Sequence, residues 1–190
     1  HGGHWTGITI SREQWQYATG LAQARGLEDK LPFHLQSYDE PLPGRFNTIV
    51  AIESLIHSTA PSNTMANLAS ALEPGGRLLI VDDMPAERMR ADDIRLLEEF
   101  RQCWRCPATP TVAEWTRLAS ASGLMLIESR DLNDLMKPRA EADLDAALAD
   151  LTAQRKMKTD IGFARLSDAE IGGLHLERLH RRGVMRYAML

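Results

Sequence analysis

Phe46-Asn47-Thr48-Ile49-Val50-Ala51-Ile52-Glu53-Ser54-Leu55-Ile56-His57-Ser58 is the stretch on which the reading of this chain turns. It follows a Pro43-Gly44 turn, is uninterrupted apolar over residues 49–52, and stops on Glu53, Ser54 and His57. A short apolar run between turn signals predicts a strand buried on both faces, as in a parallel sheet between two helix layers. In such sheets the ligand sits outside the carboxyl ends of the strands. Residues 53–57 are therefore where chemistry is expected. Glu53 alone would read as a loop residue leading into the next helix; its neighbours along the chain give it more weight.

Upstream, residues 4–10 read as a short strand that ends at Ser11, an N-cap, with Gln14 three residues on as in a capping box. The helix behind it runs to about Arg25 and stops at Gly26. Residues 31–35 form the next short strand, ending in Gln36-Ser37-Tyr38-Asp39. Downstream, Pro61 and Ser62 open a helix with Met65, Leu68, Ala69 and Leu72 on one face, and Glu73-Pro74-Gly75-Gly76 reads as its stop. Residues 77–81 are a fourth strand that ends on Asp82-Asp83. Strands alternating with helices in this spacing predict an open α/β sheet. Its carboxyl edge would carry Ser11, Ser37 with Asp39, Glu53 with His57, and Asp82 with Asp83, a plausible ligand cleft.

The length of 190 residues suits one domain with a real core. An apolar content of 44% and a charged content of 25% are those of an ordinary globular chain. A formal net charge of -4 gives no nucleic-acid footprint, and no apolar run is long enough to cross a bilayer. Residues 1–10 go straight into a strand pattern with no signal peptide, and two cysteines fit a reducing compartment, so a cytoplasmic location without membrane partners is expected.

Residues 91–104 read as a helix with Ile94, Leu97, Phe100 and Trp104 on one face, a core-packing stripe in which Trp104 also suits a pocket wall. Cys103-Trp104-Arg105-Cys106 is a C-x-x-C that closes a helix, whereas a redox dithiol opens one, and no second ligand pair is spaced for zinc. Residues 111–122 form a helix with Trp115 and Leu118 inward, residues 124–128 a strand, and residues 131–139 an irregular segment. Residues 141–158 form a strong helix along Leu144, Leu148 and Leu151, whose Arg155-Lys156-Lys158 end is a solvated terminus that favours cations. A last helix over 168–182, capped by Ser167, carries His175 and His180 as surface or packing histidines.

Thr6-Gly7-Ile8-Thr9-Ile10-Ser11 with Glu13-Gln14, then Glu53-Ser54 with His57, then Leu72-Glu73-Pro74-Gly75-Gly76 with Leu79-Ile80-Val81 resemble the class I S-adenosylmethionine-dependent methyltransferases. The similarity is to small-molecule enzymes of the tocopherol methyltransferase and cyclopropane fatty acid synthase type, and residues 183–190 are similar to that family's last strand. The resemblance implies a Rossmann-like three-layer sandwich with a mainly parallel sheet, one domain over 1–190, and lid-like helical insertions at about 86–107 and 139–160. It implies S-adenosylmethionine as cofactor, held by Thr9, Ser11, Gln14, Gln36, Ser37, Tyr38 and Glu53. It implies His57 as the base, with Glu53 orienting substrate or cofactor, and Asp82, Asp83, Met84 and Trp104 on the acceptor side. The implied acceptor is an apolar small molecule: a lipid, a terpenoid or an aromatic natural product.

The family's glycine-rich E/D-x-G-x-G-x-G loop has no counterpart in these residues, and with it the central first strand. The strands at residues 4–10 and 46–52 are thus expected to border a gap. Either they close and pair directly, or another segment or a second copy fills the slot. A truncated reading frame, a cleaved product and a chain completed by a partner all fit. So does a non-catalytic scaffold derived from a methyltransferase.

Overall fold

The computed structural model describes residues 3–157 and 161–190. β1 (Gly7–Thr9) leads into α1 (Arg12–Ala24), and the Ser11 hydroxyl accepts the Gln14 backbone N–H at 3.3 Å, the expected N-cap. The capping box is only half formed. The Thr9 hydroxyl donates to the Gln14 side chain at 2.8 Å and accepts the Ser11 N–H at 3.1 Å, which leaves Gln14 no reason to reach back. At the far end Gly26, at φ +62°, lets Leu27 N–H return to Ala22 C=O at 2.9 Å while its own N–H bonds Gln23 C=O at 3.0 Å, the double closure that favours glycine. β2 (Phe33–Leu35) pairs parallel with β1.

The second sheet has the order β3-β4-β6-β5, built from β3 (Phe46–Ile52), β4 (Leu72–Pro85), β5 (Arg130–Asp131) and β6 (Met185–Met189). β3 and β4 run parallel up to Ile52 opposite Val81. β4 then continues alone, antiparallel to β6, from Val81 opposite Met189 to Pro85 opposite Met185. Two boundaries therefore differ from the sequence reading. α2 (Pro61–Ser70) stops before Ala71, so Glu73-Pro74-Gly75-Gly76 is not its terminator but an irregularity in β4, with Gly75 at φ +77°. Asp82-Asp83 is not the end of the strand either, because β6, about 100 residues later in the chain, gives β4 a second partner. Residues 124–128 form no ladder. The register puts Met189 opposite Arg130, and only β5 pairs there.

Two apolar clusters hold the helices. Ala51, Leu55, Met65, Leu68, Ile80, Met84, Trp115 and Ala188 join β3, β4 and β6 to α2 and α4 (Val112–Ala121). Ile56, Leu96, Phe100, Cys106, Leu176, Leu179 and Met185 join α3 (Ala91–Trp104) to α6 (Ile161–Arg181), against which α5 (Glu141–Met157) packs. The inward face of α3 is rotated from the expected stripe: Leu96 and Phe100 are buried, but Ile94 is 55% exposed. An ion pair from Arg182 to Asp93 at 3.0 Å fixes that rotation by turning Asp93 toward the end of α6. α6 begins seven residues before the expected start, and Ser167 is not its cap; the Ser167 hydroxyl donates to Phe163 C=O at 2.8 Å within the helix. His175 and His180 are buried, the packing alternative of the two expected, and Lys158, the expected end of α5, lies outside the described residues.

The expected single sheet is two. No ladder joins β1 to β3, and no strand lies between them among the described residues, so the gap is neither closed nor filled. The loop after β2 ties the halves together: Tyr38 donates to Ser54 C=O at 2.8 Å, and Asn63 and Asn67 donate to the carbonyls of Asp39 and Tyr38. β3 is thus an edge, and the reading of residues 49–52 as buried on both faces is corrected, since Val50 is 45% and Ile52 is 55% exposed. Glu53 N–H bonds Val81 C=O, so by strand alternation the Ala51 amide faces β4 while those of Val50 and Ile52 face outward. In native-state hydrogen exchange, Ala51 is expected to be protected and Val50 and Ile52 to exchange fast. Protection of all three alike would mean that the edge is paired.

Candidate active site

The candidate site grows from the point where the β3–β4 ladder ends. Just past Ile52, Glu53 takes a left-handed backbone at φ 48°, uncommon for a residue with a side chain and often found where a site holds strain. A 3-10 turn over Leu55–His57 follows, and Ser54 offers it no side-chain cap. The cap comes from β4. Asp82 Oδ2 accepts the N–H groups of Ser54 at 3.2 Å and Ile56 at 3.1 Å, and Oδ1 accepts that of Asp83 at 3.0 Å. Asp82 is 1% exposed, and burial pushes its carboxyl up to about 6 against the pull of those three donors.

Above this turn the functional groups meet. The Tyr187 phenol on β6 donates to Glu53 Oε1 at 2.9 Å; burial first, and then that bond, push Tyr187 up to about 12, so it stays a donor. His57 is exposed, with Nδ1 3.7 Å from Cys106 Sγ. The Tyr38 hydroxyl is held protonated by burial and next by the charge of Asp39. Asp39 in turn accepts from the hydroxyls of Thr59, at 2.9 Å, and Thr64, anchoring the loop after β2 to the start of α2.

Other expected site residues fall in different places. Thr9, Ser11 and Gln14 bond one another at the start of α1. Gln36 donates to Pro41 C=O at 2.6 Å, and the Ser37 hydroxyl accepts the Asp39 N–H at 3.0 Å. Asp82 lies beneath the turn, not on its accessible side. Asp83 faces α6, where its Oδ1 lies 2.7 Å from Nε2 of the buried His180. Met84 is 0% exposed in the first core cluster. Trp104 packs on α6: its indole donates to Ala169 C=O at 2.8 Å, and its ring lies where a side chain at Gly172 would be. The expected pocket wall of Met84 and Trp104 is therefore core and helix interface, and His57 is exposed rather than at a pocket floor. Asp39 stands in the expected cleft, but Tyr187 and Cys106 do not. Only long-range pairing, Tyr187 opposite Asp83 above all, brings those two to the site. A groove of about 800 Å³ lies elsewhere, lined by Thr48, Leu78, Trp115, Leu126 and Leu190 toward the amino ends of β3 and β4.

Residues 1–123 match the family described as a methyltransferase domain, and the chain belongs to that family. S-adenosylmethionine is the cofactor of that family. Methyltransferase GfsG of Streptomyces halstedii is 31% identical over 148 residues, 74% of this chain and 51% of the relative. A protein named a probable tocopherol O-methyltransferase, from Oryza sativa subsp. japonica, is 23% identical over 100% of this chain and 54% of its own length. The chain thus spans about half the length of these relatives. Among solved structures, the O-methyltransferase of a trans-AT polyketide synthase from Brevibacillus brevis, in complex with S-adenosyl-L-homocysteine, superposes with a TM-score of 0.72 at 18% identity, covering 97% of this chain and 56% of that one. That likeness bears out the Rossmann-like fold. No helix among the described residues is long and apolar enough to cross a membrane.

The exposed Glu53 carboxylate and the hydroxyl and amide groups of Thr9, Ser11 and Gln14 suit the polar groups of such a cofactor. Its amino-acid tail has no glycine-rich loop in these residues to hold it.

Asp82→Ala strands the N–H groups of Ser54 and Ile56, and is expected to cost about 1–3 kcal/mol for each in urea unfolding. The wild-type carboxyl is raised in the folded state from its ordinary 3.8 to about 6, so the stability it contributes is fully present below the ordinary value and is lost as pH rises through about 6. Asp82→Asn should flatten that part of the stability–pH curve. An unchanged slope would mean that Asp82 is not the group responsible.

Proposed function

We propose that this chain is the acceptor-side part of an S-adenosylmethionine-dependent methyltransferase acting on an apolar small molecule, of lipid, terpenoid or aromatic natural-product type. The observation that carries the reading is the Glu53–His57 turn, pinned by buried Asp82 at the carboxyl end of β3 with Tyr187 on its carboxylate. The relative named a probable tocopherol O-methyltransferase supports the substrate class.

When bound, the cofactor supplies an already activated sulfonium methyl, so the protein's share is alignment and charge placement. Glu53, fixed through Oε1 by Tyr187, keeps Oε2 for a hydroxyl or ammonium group of cofactor or acceptor. Ser11, Thr9 and Gln14 on α1, with Gln36, Ser37 and Tyr38 after β2, lie on the adenosine side. His57 takes the acceptor's proton, the general-base role that imidazole most often fills. Residues 86–107 and 139–160 act as a lid over the acceptor.

The slot between β1 and β3 is completed by a strand carrying the glycine-rich loop, from another segment or a partner. The exposed apolar side chains of Val50 and Ile52 and the unpaired edge of β3 support this. A second reading, a scaffold that binds no cofactor, is favoured by the absence of that loop. Titration calorimetry with S-adenosylmethionine, on the chain alone and with a supplied glycine-loop strand, separates the two. Binding restored by the strand supports the enzyme; no binding in either case supports the scaffold. In the completed enzyme, His57→Ala is expected to lower kcat by about 10²–10⁴-fold, the usual share of general base catalysis, with cofactor affinity little changed. Unchanged turnover would remove His57 from the mechanism.

A further inference from the structure

The Cys103–Cys106 spacing, with no redox or metal role in the reading above, has a structural one. Arg105 at φ 55° turns the chain left-handed at the end of α3. The Cys106 N–H then returns to Arg101 C=O at 2.9 Å, and Arg101 Nε donates to Cys106 C=O at 3.0 Å. This double clamp fixes Cys106, 2% exposed, with its sulfur 3.7 Å from His57 Nδ1. Cys103, three residues earlier, is only half-buried.

A buried sulfur beside a histidine has two uses. One is the thiolate nucleophile of a Cys–His pair, which needs a depressed thiol pKa. Here burial, and then the charge of Asp82, push the Cys106 thiol up to about 12, so it stays neutral. The other use is orientation. A neutral imidazole carries one N–H and one lone pair, and the partner of one nitrogen decides which nitrogen keeps the proton. A thiol is both a weak donor and a weak acceptor, so local charge decides the direction of the bond. Asp82 and, more weakly, Asp83 act on Cys106 with negative charge. That potential draws the positive end of the imidazole dipole, its N–H, toward the sulfur.

We propose that Cys106 is a positioning residue for His57: its sulfur accepts the Nδ1–H, which fixes the ring and leaves the lone pair of Nε2 at the exposed edge. This rests on the reading of His57 as the proton acceptor, because only that tautomer presents a basic nitrogen there. The reverse bond, S–H to Nδ1, would put the proton on Nε2 and make His57 a donor. No atom is transferred and no oxidant is needed.

The tautomer is read directly, without turnover. The ¹⁵N-labelled chain gives long-range ¹⁵N–¹H correlations for each imidazole, and His57→Ala identifies the His57 signals by their loss. In the wild type, at a pH where the ring is neutral, Nδ1 is expected to be protonated and Nε2 bare. Cys106→Ser, whose hydroxyl also accepts, should keep this pattern, and Cys106→Ala should lose it, shifting the proton toward Nε2. A wild-type His57 protonated on Nε2 overturns the proposal, as does a Cys106→Ala chain with the pattern unchanged. Should the alanine variant fail to fold, the wild-type and serine spectra decide. If the tautomer follows Cys106 while His57→Ala leaves turnover intact, the base assignment fails and the positioning contact stands.

Discussion

The buried carboxylate of Asp82 is the interaction on which the candidate site depends. The β3–β4 ladder ends at Ile52 and Val81, and one residue further on the two strands would otherwise part. Asp82 joins them again through the N–H groups of Ser54 and Ile56, so a turn with no side-chain cap of its own is capped from the neighbouring strand. That bond makes the left-handed Glu53 sustainable, since a strained backbone persists only where its surroundings over-determine it. Burial costs Asp82 part of its ionisation, and its three N–H donors hold it in one place.

Around that anchor the site is assembled from parts far apart in the chain. The residue just past β3 is Glu53, the 3-10 turn supplies His57, β6 supplies Tyr187, and the end of α3 brings Cys106 to the histidine. β4 lies beneath all of them because it pairs on both sides, parallel to β3 and antiparallel to β6. Asp83, next along, faces the other way and meets buried His180 on α6. Two adjacent aspartates thus serve two layers, as side chains on opposite faces of a strand must.

The sequence was informative where local chemistry decides. The Ser11 cap, the stop at Gly26 and the inward Trp115 follow from neighbours within one turn or one helix, and the apolar run that points to Glu53 and His57 is local as well. That run is nonetheless exposed at Val50 and Ile52, because burial depends on strands elsewhere in the sheet. The extension of β4 to Pro85, the missing ladder at residues 124–128 and the contribution of Tyr187 all depend on the antiparallel register of β6. The face of α3 depends on α6: Asp93 turns in to meet Arg182 while Ile94 turns out. Trp104 follows the core-packing half of its stripe reading and not the pocket half, since its ring packs where α6 has a glycine.

The β3 edge tests the proposed completion of the sheet on physical grounds. Proteins that keep an edge strand in water usually blunt it with lysine, proline or an inward charge. Residues 48–52 carry none of these, and Val50 and Ile52 present exposed apolar side chains beside outward-facing amides. At roughly 25 cal/mol per Å² of apolar surface removed from water, covering two such side chains is worth on the order of a few kcal/mol, before any ladder hydrogen bond is counted. That is a sizeable fraction of the roughly 5–15 kcal/mol by which a domain is stable. A strand in the slot between β1 and β3 would gain this energy and would also stand beside Glu53, where the ladder of β3 gives way to the turn. In the proposed reading, then, the segment that finishes the sheet and the segment that finishes the cofactor site are the same.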